Sequence, residues 1–477
     1  MKKLFLLIIP LYSGFFGLDA NASIDGALKI YQNGDKNRYP QLVSELIEEK
    51  MYFSSIPFVK EYLATTNTVN NVAVDKVIDQ LITEVGIKQF EILPSSILEK
   101  SKAPAIRYVL AKKYFRQGQY DQALKYLDKS IEEWSPVKPF ALLLEGSIYA
   151  ISKREELSLS IFKECIDVSN DHLKKEKDKD RIRQLKINRD YCIVGISRAQ
   201  FAKQKHEAAN SSYLDLDKSS YIWPEILFEE AWNSFYLKDY NRTLGKLVTY
   251  KAPIFTYIFN PEVEVLKALS FMELCLWEDS KKIVEQFYTK YENDFESFKK
   301  NIDSMGKDYK QYYLLAKESS DGAAKNNGIL NITLAGIVRD PAYLELYHSF
   351  NSGRDEIEKM KLIKNESFRS TLNENLKESL GVQRNLIGSY VRAQLQFNAA
   401  QISQSFEDMS YIKLEVLSKR KTELYENAPL INGEGSRTRG NFSHVRKTDK
   451  QYFWTFNGEF WADELGDYVF SLKSECR

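Results

Sequence analysis

A pattern recurring about every 35 residues constrains this 477-residue chain more than any other feature. It is clearest from Ala105 to Pro136, AIRYVLAKKYFRQGQYDQALKYLDKSIEEWSP, which reads as a helix, a tight turn and a second helix. Leu110, Ala111 and Tyr114 fall at helical spacing on the first helix, and Gly118 and Tyr120 punctuate the turn. Ala123, Leu127 and Ser130 line the second helix, which Trp134-Ser135-Pro136 ends. Antiparallel helices approach closely only through small residues, and large ones then fill the gap to the next pair. Moving on by 35 residues, Tyr114, Ala123, Leu127 and Ser130 become Tyr149, Ser158, Phe162 and Cys165. Ala231, Tyr240, Thr243 and Leu247 recur 37 residues later as Ala268, Trp277, Ser280 and Val284. Ser197, His206, Ala209 and Tyr213 precede the same four by 34 residues. From Ser158 to Ala209 the gap is 51 residues, one repeat plus about sixteen. Five recurrences in phase, with one insertion, point to stacked units, because one such pair cannot bury its apolar face alone.

These residues resemble a tetratricopeptide (TPR) repeat, which implies an all-α, TPR-like solenoid. The chain divides accordingly. Residues 1–22 read as a leader and 23–100 as an N-terminal helical cap. The TPR-like repeats occupy 101–290 and a long-helix region 291–425. A basic linker and aromatic tail fill 426–477. In the cap, Leu42, Leu46 and Ile47, and then Val77, Leu81 and Ile82, keep helical periodicity.

The N-terminus, MKKLFLLIIPLYSGFFGLDANA, has the form of a secretory signal peptide. Lys2 and Lys3 precede an apolar run from Leu4 to Leu18, and Ala20-Asn21-Ala22 supplies a cleavage site. The expectation is an exported, periplasmic chain without a transmembrane segment once cleaved. Cys165, Cys192, Cys275 and Cys476 are then disulfide candidates. Cys165 and Cys192 fall on helices that neighbour each other in a solenoid, which leaves Cys275 and Cys476 to tie the tail back. Four buried or unpaired thiols are the alternative. None has the spacing of a metal site.

The insertion coincides with Lys174 to Arg183, KKEKDKDRIR. Mixed signs favour a solvated helix extension or loop over a docking patch. Ser319 to Gly328 reads as a loop, Asp340-Pro341 as a helix start and Asn351-Ser352-Gly353 as a break. From Leu372 to Leu424 few breakers occur, and Leu395, Ile402, Met409 and Val416 recur every seven residues. Such a stripe suits either a coiled coil between chains or a helix packed on its own chain. Gly433, Gly435 and Gly440 then alternate with Arg437, Arg439, Arg446 and Lys447 as a basic linker. Asn457-Gly458 lies among aromatics and predicts a short β-hairpin in the tail.

PEILFEEAWNSFYLKDYNRTLGKL, the following NPEVEVLKALSFMELCLWEDSKKIVEQF, and the ending Gly458 to Gly466 resemble exported TPR proteins of bacterial adventurous gliding motility. The resemblance implies a periplasmic scaffold within an envelope-spanning assembly, with other envelope proteins as partners and no cofactor. Chemistry is not in view. His172, His206, His348 and His444 are scattered, and no H-E-x-x-H, G-x-S-x-G or phosphate-loop pattern occurs. Asp463 and Glu464 beside Trp461 are the one carboxylate pair to inspect. Sixty-seven basic against 66 acidic residues, net +1, is not the balance of a nucleic-acid binder. An enzyme is not expected.

Binding is. Polar residues on first helices would face a groove: Arg107, Lys113 and Arg116 in the first repeat, Glu229 and Asn233 in the fourth. Trp454, Phe460 and Trp461 in the tail are the other candidates. They carry the alternative function, a tether that binds peptidoglycan or another polysaccharide.

Overall fold

A computed structural model describes residues 19–69, 71–127, 131–322, 328–426, 445, 447, 449, 451–454 and 456–476. Regular structure among them is helical throughout, with no β-strand. The apolar leader, residues 1–18, and the glycine-arginine linker, 427–444 with Arg446, lie outside the described residues. Ala20-Asn21-Ala22 falls in the first turn of α1 (Asp19–Gln32). No helix among the described residues is long and apolar enough to cross a membrane.

After α1 come α2 (Tyr39–Glu48), α3 (Tyr52–Thr65), α4 (Val72–Val85), the short α5 (Lys88–Glu91) and α6 (Ser95–Leu98), α7 (Pro104–Arg116) and α8 (Tyr120–Leu127). Next are α9 (Lys138–Ile151), α10 (Glu155–Lys175), α11 (Lys179–Ala202), α12 (His206–Tyr213), α13 (Trp223–Tyr236) and α14 (Tyr240–Val248). Last are α15 (Glu262–Glu273), α16 (Trp277–Met305), α17 (Tyr309–Ser320), α18 (Ile329–Ile337), α19 (Pro341–Met360) and α20 (Glu366–Glu426). From α9 to α16 each helix packs on its successor, and α9 also meets α11 as α13 meets α15.

One turn closes five of these pairs. Helices α7, α9, α11, α13 and α15 each end in a residue at positive φ: Gly118, Lys153, Gln204, Lys238 and Cys275, between +58° and +72°. In each, the next residue's N–H reaches back five positions, as Gln119 does to the Tyr114 carbonyl (2.9 Å) and Leu276 to Phe271 (2.9 Å). This is a Schellman turn, which satisfies carbonyls that the helix end leaves open. Seven residues before each turn stand Ala111, Gly146, Ser197, Ala231 and Ala268, all buried. Five residues after it stand Ala123, Ser158, Ala209, Thr243 and Ser280, also buried. Where the latter position carries a hydroxyl, it donates to the carbonyl twelve residues back: Ser158 to Gly146 (3.0 Å), Thr243 to Ala231 (3.3 Å), Ser280 to Ala268 (2.9 Å). Pro104, Pro139 and Pro224 open α7, α9 and α13, in a first turn whose N–H groups have no intrahelical acceptor.

The chain forms two compact units. The first comprises residues 1–126 with 348–383, and the second 127–347 with 384–477. These limits differ from the linear boundaries at 100 and 290, because later helices complete the N-terminal unit. Within it, Glu356 of α19 accepts hydrogen bonds from Phe53 N (2.6 Å), Ser54 N (3.0 Å) and Ser54 Oγ (2.8 Å) at the open end of α3. Asn351-Ser352-Gly353 is not a break but lies inside α19. A Cβ on Gly353 would stand 2.8 Å from both Phe53 and Leu380, so the glycine serves close packing.

In the second unit the charged run Lys174 to Arg183 is two helix ends joined by a short loop, Glu176 to Asp178. It ends α10 and begins α11, with Asp178 accepting from the N–H groups of Asp180 (3.0 Å) and Arg181 (2.9 Å) as N-cap. Cys165 of α10 and Cys192 of α11 are bonded, with Cα atoms 6.2 Å apart, among Leu142, Phe162 and Val168. The heptad stripe of α20 is buried within the chain: Leu395, Ile402 and Met409 at 0 % exposure, Val416 at 1 %. Phe406 beside it packs on Phe287, Tyr288 and Phe295 of α16. A second chain therefore has no access to this stripe.

Candidate binding surface

The basic residues of α7 are occupied. Lys113 Nζ donates to the carbonyls of Glu91 (2.8 Å) and Leu93 (3.0 Å), and Arg116 pairs with the Glu91 carboxylate at 2.6 Å. Lys113 thereby satisfies carbonyls at and just past the end of α5, which have no helical partner, while Arg116 holds the side chain of its last residue. Arg107 donates to the Lys125 carbonyl (3.1 Å) and lies over the Tyr126 ring.

The first helices α11 and α13 present a different picture. Tyr191 and Arg198 are two turns apart on α11 and share a face, and Glu225 and Glu229 are one turn apart on α13. Arg198 clasps the Glu229 carboxylate through Nε (2.9 Å) and Nη2 (2.5 Å), and Nη2 also reaches Glu225 at 3.5 Å. Tyr213 Oη donates to Glu229 (3.2 Å) and Tyr191 Oη to Glu225 (3.4 Å). Tyr390 of α20 donates to Asp340 (2.6 Å), the residue before α19. Burial first, and then the Asp340 carboxylate, raises the Tyr390 hydroxyl. Burial, then Glu225, then Asp340 raise Tyr191 likewise, so these groups form one electrostatic cluster.

Three carboxylates here face one guanidinium. The Glu225 side chain is 58 % exposed and Arg198 43 %, so the cluster is open to solvent although protein lies close on several sides. Desolvation by those walls, helped by Glu229 and Asp340 and opposed by Arg198, holds the Glu225 carboxyl above its usual range. The arrangement presents net negative charge and tyrosine hydroxyls, the complement of a basic segment. Asn233, by contrast, is fully buried: it donates to the His206 carbonyl (3.0 Å) and meets the His206 ring at 3.3 Å, joining α12 to α13. Of the cluster the sequence reading named Glu229 alone; the one-turn spacing of Glu225 and Glu229 on α13 is the signal that could have added its neighbour.

The tail is a strap, not a hairpin. Gly458 takes φ +95°, yet no strand flanks it among the described residues. Phe470 N–H donates to the Asn241 carbonyl (3.0 Å), and the Asn241 side chain brackets Leu472, accepting from its N–H (2.8 Å) and donating to its carbonyl (3.0 Å). Leu465 enters a core of Trp223, Ile226, Leu227 and Phe255. Phe470 and Leu472 pack on Leu244, Leu274 and Leu276. A Cβ on Gly245 would lie 1.7 Å from the Tyr468 carbonyl oxygen, so the strap touches bare backbone there. Lys246 Nζ, paired with Glu230 at 2.5 Å and each side chain only 6 % exposed, reaches the Gly466 carbonyl. Cys476 closes the strap on Cys275, with Cα atoms 5.0 Å apart.

Of the tail aromatics, Phe460 is half-buried against the Trp223 core. Trp454 and Trp461 remain 66 % and 59 % exposed. Asp463 is exposed and Glu464 half-buried, with Lys218 Nζ held by the Asp463 carbonyl (2.7 Å) and the Asp467 carboxylate (2.7 Å). The pair is not enclosed as acid–base work requires. His172 stacks on Trp134 and His206 on Tyr236. His444 lies outside the described residues. Among the described residues no group of three or more His, Cys, Asp or Glu is arranged to hold a metal. Neither a family model nor a curated protein matches this chain.

Proposed function

We propose that the chain is an exported TPR-type solenoid acting as a periplasmic scaffold, which holds segments of other envelope proteins in an envelope-spanning assembly of the gliding-motility kind. The observation that carries this reading is the acidic cluster of Glu225 and Glu229 on the first helix α13, with Asp340 before α19 beside them, facing Arg198 of the preceding first helix α11 and open to solvent. Solenoids bind extended or helical segments through such first-helix faces. The export of the chain is supported by its leader pattern and by two disulfides, which persist in oxidising compartments.

In-cell crosslinking of the tagged chain, followed by mass spectrometry, tests the scaffold. A reproducible set of envelope proteins, lost from a Glu225→Lys/Glu229→Lys variant that still folds, is the expected result. Recovery of peptidoglycan fragments alone sinks it. A second reading, a glycan tether, rests on the exposure of Tyr452, Trp454 and Trp461. Aromatic faces of this kind stack on sugar rings. Sacculus pull-down of the whole chain, with and without Trp454→Ala/Trp461→Ala, tests that reading, since the strap takes its shape from the repeats.

A further inference from the structure

A cavity of about 290 Å³ lies in the second unit between α14, α15, α16 and the strap, away from the acidic cluster. Its walls are Leu244, Phe271, Ile283 and Phe287, and Phe470 of the strap closes one side. Its polar lining is one-sided: Lys251, Lys267 and Lys290 against the single carboxylate of Glu264. Lys267 is 8 % exposed and bonded to both Glu264 oxygens at 3.1 Å. Lys251 and Lys290 are exposed and have no carboxylate partner among the described residues. Lys290 instead lies 4.8 Å from the centre of the Tyr291 ring.

An apolar chamber beside an excess of two positive charges fits one kind of occupant. We propose that this cavity binds a small amphipathic anion, with a carboxylate or phosphate head between Lys251, Lys267 and Lys290 and an apolar body against Phe271, Phe287 and Phe470. Water's share of liquid volume, about 30 Å³, sizes the occupant at roughly ten non-hydrogen atoms, well short of a phospholipid. Apolar lining with a few convergent polar groups is the general character of small-ligand sites. Burial, and then repulsion from Lys251 and Lys290, holds the Lys267 ammonium below its ordinary value, and a bound anion relieves that repulsion. The strap makes the site conditional, because without Phe470 the chamber loses a wall.

Titration calorimetry of the full oxidised chain tests this, with octanoate, octyl phosphate, octan-1-ol and octylammonium as probes. The expected result is saturable one-site binding of at least one anion, at least about tenfold tighter than octan-1-ol, with octylammonium not bound. Whichever anion binds more tightly assigns the head group. Lys251→Glu and Lys290→Glu lie at exposed positions and leave the fold intact, and each should weaken the anion about tenfold, the scale of one charge-assisted contact. Phe470→Ala should weaken the anion and octan-1-ol together. Equal affinity for anion and alcohol, no saturable binding at millimolar anion, or indifference to both lysine reversals overturns the proposal.

Discussion

The helix pairs from α7 to α16 and the strap from 451 to 476 are built from opposite kinds of contact. In the pairs the recurrent bonds are short-range: five positions across each Schellman turn and twelve between the hydroxyl of Ser158, Thr243 or Ser280 and its carbonyl. The strap's bonds to Asn241 span 231 residues, that of Gly466 to Thr249 spans 217, and its disulfide spans 201. Each pair carries its own closing device and needs a neighbour only to cover an apolar face. The strap's own devices are two turns, Glu464 N–H to the Trp461 carbonyl (3.1 Å) and Asp467 N–H to Glu464 (3.0 Å), and a cluster of Phe456, Phe460 and Tyr468. The rest of its conformation is borrowed from α13, α14 and α15, at the entropic cost of closing a very long loop.

The largest test falls where the two regions meet. Lys246→Met leaves the Glu230 carboxylate buried without its partner and should cost about 3–5 kcal/mol in chemical denaturation. The paired change Lys246→Met/Glu230→Leu should recover most of it. Cys476→Ser comes next, at about 2–4 kcal/mol, because it releases the longest loop in the chain. Limited proteolysis should then cut the strap while α9 to α14 stay protected. If the helix pairs melt with the strap, the division between the regions is wrong. Under mild reduction the same bond should open first, since Cys476 is exposed, whereas Cys165 and Cys192 are fully buried. Alkylation mass spectrometry reads that order.

Gly245→Val sharpens the comparison without touching charge or cysteine. The added side chain cannot coexist with the Tyr468 carbonyl, so the strap should lift while helix content by circular dichroism stays unchanged. The smallest effects belong to the local turns. Lys153→Gly and Lys238→Gly should each stabilise by about 1 kcal/mol, because a side chain at positive φ is penalised there. Neither change should alter strap proteolysis.

That same contrast decides what the sequence disclosed. The all-helical class was legible because periodicity, prolines in first turns and turn residues are local signals, and so was the helix start at Asp340-Pro341. Asn351-Ser352-Gly353 misled because a glycine required for contact with Phe53, some 300 residues away, has the composition of a turn. The Leu395 to Val416 stripe announced burial, but not that α16 of the same chain supplies an aromatic cover. Lys113 and Arg116 read as free groove residues, since Glu91, whose carbonyl and carboxylate they bind, sits on an element too short to predict. Asn457-Gly458 carried a strong hairpin signal, yet no strand forms beside it among the described residues, and what anchors the tail, Asn241 against Phe470 and Leu472, lies more than 200 residues away in sequence. Glu229 was visible, whereas Arg198, Tyr213 and Asp340 joined it only in three dimensions.

The bond between Cys275 and Cys476 also sets a path for mechanical load. A pull applied beyond Cys476 is not carried through the strap, the linker and α20, because force passes through sulfur directly into the turn between α15 and α16. The residues between the two cysteines, 201 positions of sequence separation and roughly 700 Å of contour if stretched, are taken out of series with the load. While oxidised, the molecule transmits tension as a short, stiff link. Once reduced, it becomes a long extensible one, a difference that single-molecule stretching would read as a single large step in length.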